Sequence, residues 1–169
     1  MSPLVRQGII WGLGAGFVSA ACYMAFSFAG GLLLGPLIAL TASTVAAYRT
    51  IGHTGRQRPI RTGALTGLIT GGILLLSLML FAVVLVVVAL NEPSAPAFQA
   101  QLTPSFVTLG LDPAAAPIWI VAAALFISFC LGSVNVVIAI VFGTLSGWMV
   151  ARQQRQSAAH QAASTSAAE

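Results

Sequence analysis

Apolar residues in this chain gather in four blocks, at about 8–29, 32–48, 63–90 and 118–150, and the polar residues crowd into the short stretches between them. A helix rising about 1.5 Å per residue needs about 20 such residues, or about 17 at the least, to cross about 30 Å of hydrocarbon. Each block meets that length. Gly30 and Gly31 are left to turn the chain between the first two blocks. The third and fourth are longer than one perpendicular crossing requires, which predicts tilt or extension past the headgroups, yet neither holds two crossings and a turn. The pattern predicts an all-α membrane protein with four transmembrane helices in a single domain over residues 1–155. An outer loop spans 91–117 and a disordered small-residue tail spans 156–169.

Composition places the solvent. With 58% hydrophobic and 6% charged residues and a mean hydropathy of +0.97, a soluble domain of this length could not cover itself with polar surface. Charge then sets the orientation. All seven basic residues are arginines: Arg6 before the first block, Arg49, Arg56, Arg58 and Arg61 between the second and third, and Arg152 and Arg155 after the fourth. Glu92 and Asp112 sit in the gap that alternates with them. Positive residues in short loops stay cytoplasmic, so both termini are expected inside. A cleaved signal peptide ending near Val18-Ser19-Ala20, or a lipid-modified Cys22, is disfavoured, because the apolar run continues through YMAFSFAG.

An internal echo adds architecture. RQGIIWGLGAG from Arg6 and RTGALTGLITG from Arg61 share Arg, three Gly and one Leu at a constant offset of 55. Gly8, Gly12 and Gly16, like Gly63, Gly67 and Gly71, recur every four residues and so line one helix face. The other two blocks carry comparable stripes, with Gly143 and Gly147 in the last. Such faces admit close helix contact in lipid. The reading is two tandem helical hairpins related as parallel repeats, against the alternative that a chain with 17 glycines produces the spacing by composition.

Candidate chemistry is sparse. The four blocks contain no ionisable carboxylate, amine or guanidine, so a proton relay has no carrier. Asn135 is the most polar side chain within them, and either bonds across to another helix or lines a pore for a neutral solute. Thr41, Ser43 and Thr44 are expected to bond their own helix backbone. His53 and His160 stand apart, Cys22 and Cys130 have no CxxC spacing, and the acids apart from the terminal Glu169 lie on the other side; no cofactor, no metal and no enzymatic activity are expected. Arg49, Arg56, Arg58 and Arg61 would attract anionic lipid, or simply fix topology. Nucleic acid is an unsuitable partner for so small a charge held against a membrane.

In the outer loop, Phe98, Leu102, Phe106 and Leu109 recur at helical spacing and predict a short amphipathic piece at the interface. Asp112 before Pro113 predicts the start of the last helix. The layout resembles small prokaryotic membrane proteins, which implies a multi-pass protein of the inner cell membrane. Two functions follow as expectations. One is a non-catalytic accessory, assembly or scaffold component, packing as a homo-oligomer or with a membrane-protein partner. The other is a pore or facilitator for a neutral small solute.

Overall fold

A computed structural model describes residues 2–54, 58–93 and 95–166, with side chains at 23–33 and at a few other positions outside that description. The described residues are 94% helical. The helices are α1 (Pro3–Thr54), α2 (Pro59–Asn91), α3 (Ala95–Thr108) and α4 (Ala116–Ser166), with a 3-10 turn, Pro113–Ala115, leading into α4. Among the described residues, three stretches are long and apolar enough to cross a membrane: Pro3–Cys22, Pro59–Asn91 and Ala116–Ala159. The chain is therefore read as a multi-pass membrane protein.

Where two helices were expected over residues 8–48, the structure assigns one helical element, α1. It is not a straight rod. Thirty-eight residues separate Trp11 from Arg49, which a straight helix would hold about 57 Å apart. The Arg49 guanidinium instead lies 5.5 Å from the centre of the Trp11 ring. Ala15, Ala39 and Ala42 likewise share one buried cluster with Leu74 and Leu78. The two ends of α1 thus return to each other as arms, 3–22 and 34–54. Pro36, early in the second arm, lacks the N–H that would bond back into the connecting stretch. The expected Gly30-Gly31 turn lies outside the described side chains.

The second arm turns its small side chains inward: Ala39, Ala46 and Ala47 are fully buried.

Helix α2 forms the centre. Gly8, Gly12 and Gly16 of the first arm meet Ile69, Ile73 and Ser77 in rising order, so that arm runs parallel to α2. Gly63, Gly67 and Gly71 meet Gly143, Ala139 and Val136 in falling order, so α4 runs antiparallel. The matched motifs are consequently used differently: the first turns its glycines to the neighbouring hairpin, the second to its own.

At one end of this bundle stand Arg49, Arg58, Arg61, Arg152 and Arg155, since Gly147 packs on Pro59 and Ile60, and the Tyr48 hydroxyl reaches the Met149 sulfur at 3.9 Å. Glu92 and Asp112 are at the other end, beyond α2 and before α4. There, α3 closes with Gly110 at φ +70°. The Leu111 N–H donates to the Phe106 carbonyl (2.9 Å) and the Gly110 N–H to that of Val107 (3.0 Å). This left-handed cap satisfies carbonyls that the helix end would leave open. Of the four apolar positions expected on this piece, Phe106 is half-buried and Leu109 exposed, while the Phe98 and Leu102 side chains lie outside the description. The Asp112 carboxylate then accepts from the Ala114 N–H at 2.9 Å, which starts the turn into α4. Helix α4 continues to Ser166 through the tail expected to be disordered; that tail is rich in alanine, the strongest helix former.

The folded-back α1 makes a direct prediction. In a Cys22→Ser/Cys130→Ser background, Trp11→Cys and Arg49→Cys should be joined within one chain by a flexible bifunctional maleimide. Absence of that intramolecular product in folded protein would restore a straight α1.

Candidate functional site

The seam between α2 and α4 is the most closely built part of the molecule. A β-carbon added at Gly63 would strike the Gly143 carbonyl oxygen, one at Gly67 that of Ala139, and one at Gly147 that of Pro59. At Gly71 it would come 2.9 Å from the Val136 Cα, and at Gly143 2.5 Å from the Gly63 carbonyl oxygen. These are backbone atoms and cannot rotate away. The approach brings Cα–H groups against carbonyls, a weak attraction repeated along the seam. Against the first arm the fit is softer: added β-carbons at Gly8, Gly12 and Gly16 would come within 2.6, 2.7 and 2.5 Å of Ile69, Ile73 and Ser77 side-chain atoms. Gly12 would also lie 2.9 Å from the Thr70 carbonyl oxygen.

Further along, larger residues hold the same two helices apart. Leu78, Phe81, Leu85 and Val86 of α2 face Ile127, Ser128 and Leu131 of α4 across a groove of about 350 Å³. Glycine at one end and leucine or phenylalanine at the other make the pair splay.

Hydroxyls mostly bond within their own helix. Thr41 donates to Leu37 and Ile38, Ser43 to Leu40, Thr50 to Ala46, Thr66 to Thr62, Ser77 to Ile73, Thr144 to Ile140 and Ser146 to Phe142. Such bonds cancel a polar group that hydrocarbon would penalise. Ser19, Thr44 and Thr70 depart from this: their buried hydroxyl oxygens have no partner among the described residues. Thr44 thus lacks the backbone bond expected of it. Sequence reasoning missed Ser19 and Thr70 as well, since nothing in spacing distinguishes a hydroxyl that bonds its own turn from one that does not.

Asn135 is 3% exposed. It shares an α4 face with Gly132 and Ala139, which pack on Leu75 and the Gly67–Gly71 stretch of α2. Among the described residues no hydrogen bond joins its amide to another helix. Nor does it line the groove, which lies beyond Leu131.

On the basic rim, Arg49 covers Trp11 and Arg152 covers Trp148 at 5.5 and 5.7 Å. The Trp11 N–H donates to the Gln7 side chain at 3.2 Å. Arg58 and Arg61 are exposed, and Arg56 lies outside the described residues. Cys22 and Cys130 are free thiols. No group of three His, Cys, Asp or Glu is found among the described residues. No protein-family model, curated protein or solved structure matches the chain.

The seam and the orphan hydroxyls can be tested together. Gly67→Leu should cost about 3 kcal/mol or more, because overpacking here displaces backbone. Gly72→Ala on the same helix, where an added β-carbon meets nothing within 4 Å, should gain about 0.5–1 kcal/mol from helix propensity. Thermal unfolding in detergent gives both; equal effects at the two sites would remove the seam from the account. By the same measurement Thr70→Val, which deletes an unpaired hydroxyl at nearly constant shape, should stabilise by about 1 kcal/mol. A loss of that size would show that the hydroxyl is satisfied after all.

Proposed function

We propose that the chain is a non-catalytic integral membrane protein of four crossings, the second arm of α1 completing the set, and that it acts as an accessory, assembly or scaffold component. The observation that carries this reading is the α2–α4 seam. Its closest contacts are backbone against backbone, and its most polar member, Asn135, is packed between helices and outside the groove. The bundle is built to hold a shape, and among the described residues its buried interior holds no carboxylate, amine, guanidine or imidazole. Both termini and the arginine rim face the cytoplasm, because short basic loops are retained there. The setting is the cell membrane, the inner one of a prokaryote. The partner is a second copy or another membrane protein, besides the bilayer itself. Two tandem hairpins arose by duplication of RxGxxxGLxxG, and later took different neighbours.

A second reading has its own support. Ser19, Thr44 and Thr70 have hydroxyls without a partner among the described residues, and the Asn135 amide is buried, all inside the bundle. Polar groups left open in hydrocarbon suit a path for a neutral solute, with water as their partner.

Flux separates the two. Proteoliposomes carrying the scaffold should pass glycerol and urea no faster than empty vesicles in stopped-flow shrinkage, and Asn135→Leu should change stability by no more than about 1–2 kcal/mol. Flux well above the empty vesicles, abolished in a fully folded Asn135→Leu variant, would overturn the scaffold in favour of the pore.

A further inference from the structure

The two indole-backed arginines occupy neighbouring helices. Tyr48 of the second α1 arm touches Met149 of α4; Arg49 follows the first residue, Trp148 precedes the second, and Arg152 stands one helical turn beyond Trp148. One corner of the rim therefore carries two guanidiniums, two indoles and a phenol. Arg49, Arg152, Tyr48 and Trp148 are exposed. Among the described residues no carboxylate shares that corner, since Glu92 and Asp112 belong to the opposite end of the bundle. Neither arginine has an ion pair or hydrogen bond among the described residues.

Stacking changes what these side chains can do. An indole under one face of a guanidinium fixes its plane by a cation–π contact and leaves the N–H edges free. Those edges match a phosphate by paired hydrogen bonds. Restricting the side chain beforehand lowers the entropy lost when an anion arrives. Trp11 is itself held by Gln7, so the Arg49 seat is fixed at its base. Trp and Tyr settle at the level of lipid headgroups, which puts the corner at phosphate depth.

We infer that this corner, between the second arm of α1 and α4, is a seat for the phosphate headgroup of an anionic phospholipid. Arg49 and Arg152 are its two anchors. The sequence pointed to Arg49, Arg56, Arg58 and Arg61 for this role; the geometry keeps Arg49 and pairs it with Arg152, 103 positions away, which only the fold brings to one corner. The inference rests on the chain crossing a bilayer and not on the scaffold reading, so its failure leaves that reading standing.

The test uses the full chain in nanodiscs, first of phosphatidylcholine alone and then with a fraction of phosphatidylglycerol, read by thermal unfolding. The anionic lipid should raise the melting temperature of the parent by about 5 °C, the size expected for a ligand held well above its dissociation constant. Arg49→Gln/Arg152→Gln should lose most of that rise, while Arg58→Gln/Arg155→Gln, which removes the same charge from unstacked positions, should keep it. If the first pair fails to fold in phosphatidylcholine, Arg49→Lys/Arg152→Lys serves instead: it keeps the charge, gives up the planar fork, and should lose at least half of the rise. Equal losses in the stacked and unstacked pairs, a lysine pair with the full rise, or no rise in the parent would each overturn the seat. Inorganic phosphate added to phosphatidylcholine discs should give no rise; a full rise with it would assign the corner to a soluble anion and overturn the lipid.

Discussion

Two apolar helices in a bilayer have no water to expel when they meet, so what holds them is the fit of their surfaces and whatever weak polar contacts the fit allows. Along α2 and α4 that constraint is met by removing side chains altogether. Gly63, Gly67, Gly143 and Gly147 let carbonyl oxygens of one helix lie where β-carbons of the other would be. The rest of the arrangement follows from this contact. It fixes the antiparallel pairing and places Pro59 beside Gly147 at the basic end. Farther along, Phe81 and Leu85 push the same helices apart, which opens the groove.

Helix α2 is consequently occupied on more than one side. Its glycine face takes α4, its Ile69–Ile73–Ser77 face takes the first arm of α1, and Leu74 and Leu78 reach Ala39 and Ala42 of the second arm. A helix so placed has little freedom in how it carries polar groups. Thr66 and Ser77 donate their hydroxyls to the carbonyls of Thr62 and Ile73, one turn back, whereas Thr70, beside the close approach of Gly12, has no partner among the described residues.

Much of this was legible in the sequence because the bilayer enforces simple rules. Length and hydropathy located α2 and the start of α4 to within a few residues, with the Asp112-Pro113 step as a local marker. The one-sided arginines foretold that the chain ends and the middle loop would share one end of the bundle. Pairing was not legible. The glycine motifs at Gly8 and Gly63 read alike, yet one meets isoleucine side chains and the other meets backbone, because a stripe states what a face can accept and not which neighbour arrives. The same limit applies to Thr44 and Asn135: a side chain's own helix is readable from spacing, its neighbour across the bundle is not. Alanine in the tail carried two messages, small and polar surroundings arguing for disorder and intrinsic propensity for helix, and the second prevails to Ser166.

The α2–α4 seam also orders events in time. Gly63 and Gly143 are 80 residues apart in the chain, and at about 5–20 residues per second the ribosome delivers the second some 4–16 s after the first. Until α4 is made, the glycine face of α2 lacks the helix it packs against in the folded chain. Its seam can close only once α4 has emerged. Any other helix presenting small residues during that time competes for the same face, and a neighbouring copy of this chain is such a competitor, so exchange of α4 between nascent copies is the characteristic misassembly open to this fold.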